Sequence, residues 1–232
     1  MSASGLTLVF DLDDTLYPER DYVRSGLAAA ARAFGDAVPE VGEGPFLARA
    51  ISLFGAGARG RIFDQALAEV GQPASAELVA RLVEAYRDHE PTSLALFEDA
   101  RAALARWGAR GPLGLVTDGY LTVQRAKVRS LGIERLFGAV CYTDALGGRD
   151  AWKPSPRGFV DVMSRLGRPA SRYVYVADNP NKDFQAPRAL GWRTVRVRRE
   201  GGEHACVEAP DANAAPDVEV ASLDALDAVL FP

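Results

Sequence analysis

Three carboxylates stand within four positions near the start of the chain, directly after a run of uncharged residues. The segment Leu6 to Phe10 has the composition of a buried strand, and Asp11, Asp13 and Asp14 follow it. Side chains alternate along an extended strand, so Asp11 and Asp13 are expected on the same face. Two carboxylates in this arrangement can bind a hard cation such as Mg²⁺, or act as nucleophile and general acid–base. Taken alone, the pattern fits a strand followed by an acidic turn and helix cap equally well.

Further polar residues follow two later segments that are predicted to be strands. Thr117 and Asp118 follow one of them, and a polar run from Asp178 to Asp183 follows another. Lys153 precedes a predicted helix N-terminus. Because ligands bind beyond the carboxyl ends of the strands in open α/β sheets, these groups are expected at one edge. A carboxylate nucleophile, a Mg²⁺ ion and a lysine together favour phosphoryl transfer through an aspartyl-phosphate.

The second part of the chain alternates between the two hydrophobic periods. Strands are predicted at 112–116, 139–142, 173–177, 192–197 and 217–220, and helices at 98–107, 121–131, 155–166, 183–190 and 223–230. This alternation predicts an α/β fold with a doubly wound parallel sheet, covered by helices on both faces. Residues 17–91 show only helical periodicity and predict an inserted all-helical domain. The Gly-, Ala- and Pro-rich stretch 199–216 predicts a long surface loop.

The overall composition excludes several classes of protein. The chain has 232 residues, 48% of them apolar and 25% charged, with a formal net charge of −4. These values favour a globular protein without affinity for nucleic acid or anionic membranes. The chain has two cysteines and no CxxC motif, and its N-terminus has no basic region. It also has no apolar stretch long enough to cross a membrane. These features predict a cytoplasmic protein with no membrane span. The oligomeric state is left open.

Four motifs in chain order resemble those of the haloacid dehalogenase superfamily. They are Asp11-Leu12-Asp13-Asp14-Thr15, Thr117, Lys153-Pro154, and Asp178 with Asp183. The likeness covers nearly the whole chain, although Ala177 stands where the family usually has Gly. It implies a Rossmann-like catalytic core of residues 1–16 and 92–232. The insertion of residues 17–91 resembles the family's type-1 helical cap.

The resemblance also implies a role for each motif residue. Asp11 would be the nucleophile, and Asp13 would protonate the leaving group and later activate water. Lys153 would pair with Asp11 and the phosphate, while Thr117 and the backbone of Asp118 would hold the transferring phosphate. The expected Mg²⁺ ligands are Asp11, Asp13 through its backbone carbonyl, Asp178 and Asp183, the last of which supports the metal or its waters.

Asp13 favours phosphate esters, because the family's dehalogenases lack this second acid. Residues 17–91 contain no lysine, which argues against the family's phosphonate-cleaving chemistry, since that chemistry needs a cap lysine. The sequence therefore predicts a Mg²⁺-dependent phosphatase of a small phosphorylated metabolite, with a sugar phosphate slightly preferred over a nucleotide or a short phosphorylated acid. A phosphomutase of the β-phosphoglucomutase kind and a non-catalytic ligand-binding protein remain alternatives.

The stretch Gly55 to Gly60 matches GxGxxG, but a helix rather than a strand is predicted before it, so dinucleotide binding is rejected. It is interpreted as an interhelical loop, and Arg59 and Arg61 become candidates for substrate specificity, together with Tyr17. Lys127 is interpreted as part of a solvated helix face. Cys141 is predicted to be a buried hydrophobic residue.

Overall fold

A computed structural model describes residues 5–231, and these residues form two compact units. The first unit holds the described residues up to Glu19 and from Ser93 onward, and the second spans Arg20–Thr92. The second unit is helical, and its role as a cap stays a prediction. Among the described residues, no helix combines the length and the apolar character that crossing a bilayer requires.

The first unit is built on a parallel sheet, which confirms the predicted α/β doubly wound fold. Within residues 5–231 the sheet has six strands in the order β3-β2-β1-β4-β5-β6. Every adjacent pair is parallel. The strands are β1 (Thr7–Phe10), β2 (Gly114–Thr117), β3 (Ala139–Tyr142), β4 (Tyr173–Ala177), β5 (Arg193–Val197) and β6 (Val218–Val220).

Strand β1 lies inside the sheet, between β2 and β4. Its residue Val9 aligns with Gly114 of β2 and with Tyr175 of β4. All four residues of β1 are buried, as expected for a strand covered on both faces. At Gly114, a Cβ atom would lie 2.8 Å from Val162 Cγ1 and 3.0 Å from Val9 Cγ2. Glycine at this position therefore allows the helix that carries Val162 to pack closely on the sheet.

Helices connect the strands of this unit and cover the sheet. They are α5 (Glu98–Gly108), α6 (Leu121–Leu131), α7 (Arg157–Leu166), α8 (Gln185–Ala189) and α9 (Leu226–Leu230). Gly132 has a positive φ of 66° and ends α6 in the left-handed conformation. Short 3₁₀ segments occur at Thr143–Leu146 and Gly148–Ala151, close to the predicted site residue Lys153.

The second unit has its own apolar core. It consists of most of α1 (Glu19–Ala37, whose first residue belongs to the first unit), with α2 (Glu43–Gly55), α3 (Ile62–Glu69) and α4 (Ala76–Asp88). Phe34 and Phe46 are fully buried and stack with ring centroids 4.5 Å apart. The Ser75 side chain accepts a hydrogen bond from the Leu78 backbone N–H and so caps the N-terminus of α4.

One predicted helix start is wrong, and one glycine inside a helix has a packing role. Gly35 lies in the last turn of α1, which ends at Ala37. A Cβ atom on Gly35 would lie 3.1 Å from the Glu43 backbone nitrogen, so this glycine serves close packing and not helix termination. The predicted helix 155–166 starts two residues too early, because α7 begins at Arg157, and Ser155 Oγ is 3.5 Å from the Arg157 nitrogen.

We expect Phe46→Ala to destabilise the helical unit by about 3–5 kcal/mol, because it removes a fully buried aromatic ring and leaves a cavity. Urea unfolding followed by circular dichroism measures this change. Ile51→Ala on the same helix is the matched control, since Ile51 is 38% exposed. Equal losses in the two variants would contradict the assigned core.

The two cysteines should differ in reactivity. Cys141 is buried on β3, as predicted, and burial together with the neighbouring Asp161 carboxylate raises the pKa of its thiol to about 12. Cys206 is exposed. A disulfide reagent at pH 8 should therefore titrate one thiol per folded chain quickly and the second only after denaturation. Rapid labelling of both thiols in the folded protein would disprove this.

Candidate active site

Three buried carboxylates converge at the carboxyl ends of β1 and β4. Asp11 directly follows β1, and its backbone N–H donates to Val176 O of β4 at 2.9 Å, which continues the pairing of the two strands. Asp178 directly follows β4, and Asp183 lies in the turn before α8. One carboxylate oxygen of each of these aspartates lies within 4.8 Å of the other two. The predicted convergence at one edge of the sheet is therefore present in the structure.

Lys153 supplies positive charge to this cluster. Its Nζ donates to Asp11 Oδ1 at 2.6 Å and lies 2.7 Å from Asp183 Oδ1, while Tyr175 Oη is 3.0 Å away. The side chain is fully buried. Burial alone would lower the pKa of Lys153, but Asp11 and Asp183 raise it well above its usual value, so the ammonium stays charged.

The donor set of the three aspartates fits a hard divalent cation. Burial raises the pKa of Asp11, which Lys153 only partly opposes, and burial with the neighbouring Asp183 and Asp11 raises the pKa of Asp178. Carboxylates crowded in this way are short of positive charge despite the lysine. Clustered carboxylate oxygens are the ligands that Mg²⁺ and similar ions prefer.

Asp118 fixes the segment that carries Lys153. Both of its carboxylate oxygens accept from the Lys153 backbone N–H at 3.1 Å, and Oδ1 also accepts from Thr143 Oγ1 at 2.7 Å. Thr117 is fully buried at the end of β2, and its hydroxyl donates to Gln124 Oε1 at 2.9 Å. The structure thus places both residues at the predicted edge. Their role in holding phosphate stays a prediction.

A second charged group surrounds Asp13. Tyr17 Oη and Lys127 Nζ donate to Asp13 Oδ1 at 2.6 and 2.7 Å, and Gln124 Nε2 lies 3.4 Å from Oδ2. Lys127 Nζ is also 3.5 Å from Glu19 Oε1. Burial would raise the pKa of Asp13, but Lys127 and Tyr17 outweigh it and hold that pKa below its usual value.

The interpretation of Lys127 as part of a solvated face is wrong. Its side chain is 2% exposed and bound to Asp13. A usable signal exists in the sequence, because Lys127 follows the apolar Val123 by four residues and so lies on the buried face of α6. Tyr175 was also not identified as a site residue, since an aromatic residue in a buried strand is normally read as core.

The three specificity candidates lie in different surroundings. Tyr17 is fully buried, and its hydroxyl binds Asp13. Arg59 donates to Phe54 O at 3.1 Å and to Ala58 O at 2.7 Å. Its guanidinium also covers the Phe54 ring. Arg61 is exposed and pairs with Asp64 at 2.9 Å. Their part in substrate selection stays a prediction.

The loop after β5 is attached to the edge of the sheet that carries the site. The Glu203 N–H donates to Asp14 Oδ2 at 3.1 Å, and His204 Nε2 lies 3.0 Å from Asn179 Nδ2. The buried guanidinium of Arg196 donates to His204 O at 2.8 Å and to the Asp178 carbonyl at 3.0 Å. One arginine therefore ties this loop to the backbone of the acidic cluster.

Comparison with known proteins agrees with this geometry. A family model described as haloacid dehalogenase-like hydrolase matches residues 6–191. The chain belongs to the haloacid dehalogenase-like hydrolases. The matched range includes both charged groups, from Asp11 to Asp183, so the family assignment rests on the same part of the chain as the site.

Three similar proteins illustrate the range of the family. Glyceraldehyde 3-phosphate phosphatase of Methanopyrus kandleri is 32% identical over 92% of this chain and 91% of its own. The structure of a 2-haloacid dehalogenase from Pseudomonas syringae is 25% identical, covers 97% of this chain and 98% of its own, and has a TM-score of 0.64. The hydrolase YfnB of Bacillus subtilis, solved with bound magnesium, is 18% identical, covers 98% and 99%, and has a TM-score of 0.66.

We expect Lys153→Met to destabilise the protein by about 3–5 kcal/mol in metal-free buffer at pH 7, because it leaves buried carboxylates without their counter-charge. Urea unfolding measures the loss. Arg165→Met is the matched control, since Arg165 is 46% exposed and pairs with the partly exposed Asp161 at 3.2 Å, where a pair is worth roughly 0–1 kcal/mol. A Lys153→Met variant no less stable than this control would contradict the buried ion pair.

Proposed function

We propose that this protein is a Mg²⁺-dependent phosphatase that hydrolyses a small phosphomonoester through an aspartyl-phosphate on Asp11. The observation that carries the proposal is the buried arrangement at the sheet edge. Lys153 Nζ lies 2.6 Å from Asp11 and 2.7 Å from Asp183, and Asp178 completes a triad of carboxylates within 4.8 Å. A carboxylate nucleophile, a fixed cation and a set of oxygen ligands are what phosphoryl transfer of this type requires.

In the first half of the reaction, a carboxylate oxygen of Asp11 attacks phosphorus. The bond between phosphorus and the ester oxygen breaks, and a proton passes from Asp13 to that oxygen. In the second half, Asp13 takes a proton from water as the water oxygen bonds to phosphorus, and the bond between Asp11 and phosphorus breaks. Lys153 and the Asp118 backbone N–H stabilise the charge on the phosphoryl oxygens, and the Thr117 hydroxyl does so when it turns from Gln124 Oε1 to the phosphoryl group.

The metal would be held by Asp11, Asp178 and the Asp13 backbone carbonyl, with Asp183 supporting it or its waters. When bound there, Mg²⁺ supplies positive charge that lowers the repulsion between the phosphoryl group and the carboxylates. Lys153 occupies Asp11 Oδ1 and so fixes the orientation of the nucleophile. The helical unit would act as the cap, and Arg59 and Arg61 would select the substrate.

A triose or other small sugar phosphate is the preferred substrate class. The support is the relative from Methanopyrus kandleri, which is named for its action on glyceraldehyde 3-phosphate. Asp13 favours a phosphate ester over an alkyl halide, because an ester oxygen leaves more readily when it is protonated. The fold alone does not decide this, since a haloacid dehalogenase shares it.

We expect the wild-type protein with Mg²⁺ to release phosphate from p-nitrophenyl phosphate and from a panel of sugar phosphates. Chelation should abolish release, and Asp11→Asn should lower kcat by more than about 10³-fold, because it removes the nucleophile. Phosphate release and halide release from 2-chloropropionate are measured in parallel. Asp150→Asn, which changes an exposed carboxylate, is the control and should retain activity.

Each alternative predicts a different result in the same assays. Turnover retained in Asp11→Asn would refute the covalent mechanism, and halide release would indicate a dehalogenase. Interconversion of sugar-phosphate isomers without net release of phosphate would indicate a mutase. Binding of Mg²⁺ without turnover of any ester would indicate a ligand-binding protein.

A further inference from the structure

The two carboxylate oxygens of Asp13 are bound unequally, and the side chains that donate to them lie outside the four motifs. Tyr17 and Lys127 both donate to Oδ1, at 2.6 and 2.7 Å. The contact of Gln124 with Oδ2, at 3.4 Å, is the longest of the three. Two short charge-assisted bonds fix Oδ1 in place. Oδ2 is held more loosely and is the oxygen better able to exchange a proton.

Lys127 is an unusual residue to find inside a helix-packing surface. Its side chain is 2% exposed, and its partners include Asp13 at 2.7 Å and Glu19 at 3.5 Å. Burying an ammonium group is unfavourable unless its partners are well placed. Packing would be served equally well by an apolar side chain of the same length. The charge of Lys127 therefore indicates that this residue acts on the Asp13 carboxylate.

Helix α6 connects the hydrogen bonds at Asp13 to the predicted phosphate-binding residue Thr117. Gln124 and Lys127 are three residues apart and lie on one face of the helix. Gln124 Oε1 accepts from Thr117 Oγ1 at 2.9 Å, while its amide nitrogen faces Asp13. One rigid helix thus sets the position of the Asp13 carboxylate relative to the Thr117 hydroxyl.

We propose that Lys127 and Tyr17 are positioning residues that fix Asp13 Oδ1, so that Oδ2 is presented to the leaving-group oxygen of the substrate. This inference rests on the phosphatase function proposed above. Because Oδ1 already accepts from Lys127 and Tyr17, the acid form of Asp13 carries its proton on Oδ2, and the same two donors make that form a stronger acid. The Oδ2–H bond breaks and its proton passes to the ester oxygen as the phosphorus–oxygen bond breaks and the bond from Asp11 to phosphorus forms. In the second half of turnover, the attacking water returns a proton to Oδ2.

Dependence on the leaving group tests the inference. The ratio kcat/KM reports on steps up to departure of the leaving group, and a good leaving group needs little protonation. We expect Lys127→Met to lower kcat/KM less than about tenfold for p-nitrophenyl phosphate but about 10²-fold or more for an alkyl phosphate, the range typical of general acid catalysis. Phenyl phosphate should lie between them. Tyr17→Phe removes only a hydroxyl. It should also make log kcat/KM depend more steeply on the leaving-group pKa, by a smaller factor than Lys127→Met.

Arg125→Met is the matched control, because Arg125 lies on the exposed face of the same helix. It should leave the slope of log kcat/KM against leaving-group pKa unchanged. Circular dichroism and thermal melting establish that each variant is folded. If Lys127→Met does not fold, Tyr17→Phe carries the test.

The outcomes separate the two proposals. Wild-type turnover that requires Asp11 establishes the reaction. If the wild type behaves in this way, the positioning role alone would be overturned by either of two results. One is an equal loss of kcat/KM on all three esters in folded Lys127→Met and Tyr17→Phe, and the other is no loss of kcat/KM at all. Absence of wild-type phosphate release would overturn the proposed function, and the positioning of a leaving-group acid would fall with it.

Discussion

Buried negative charge is the constraint on which the arrangement of this sheet edge depends. Asp11, Asp178 and Asp183 bring carboxylate oxygens within 4.8 Å of one another in a region shielded from water. Such a cluster is unfavourable unless positive charge lies within it. Lys153 contributes one charge at 2.6 and 2.7 Å from two of the aspartates. Lys182 adds a second ammonium that acts on Asp11 and Asp178. Three carboxylates against these two lysines still leave net negative charge that a divalent cation would offset.

The fold supplies the residues of this cluster from separate parts of the chain. Parallel strands end at the same edge, so Asp11 after β1 and Asp178 after β4 meet although they are far apart in sequence. Lys153 lies on a segment that is not a strand. The Lys153 backbone N–H donates to the Asp118 carboxylate, and this contact holds the segment in place. The ion pair therefore depends on a hydrogen bond made by a neighbouring motif.

A second pair of opposite charges, Lys127 with Asp13, lies beside the first. The two lysines have similar burial but different partners. Lys153 contacts the candidate nucleophile and a candidate metal ligand, whereas Lys127 contacts the candidate proton carrier. Separate cations allow the two carboxylates of one motif, Asp11 and Asp13, to take different chemical roles although they stand two residues apart.

Sequence patterns predicted the elements better than the contacts between them. Strand β3, strand β4 and helix α6 occupy the predicted residues, because alternating apolar runs and the stop at Gly132 are local signals. Gly35 illustrates what local sequence does not encode, since its small size serves a contact with Glu43. The same holds for Lys127, whose partner Asp13 is more than a hundred residues away. The structure brings Asp11, Lys153, Asp178 and Asp183 together, while the roles of the motif residues remain predictions.

Direct detection of the phosphorylated enzyme tests the central claim most sharply. Protein mixed with Mg²⁺ and a phosphate ester is quenched in acid during turnover, reduced with borohydride and mapped by mass spectrometry. Our account predicts that Asp11, and no other residue, carries the phosphoryl group and is converted to homoserine on reduction. Turnover without any acyl-phosphate, or with the label on another side chain, would contradict it.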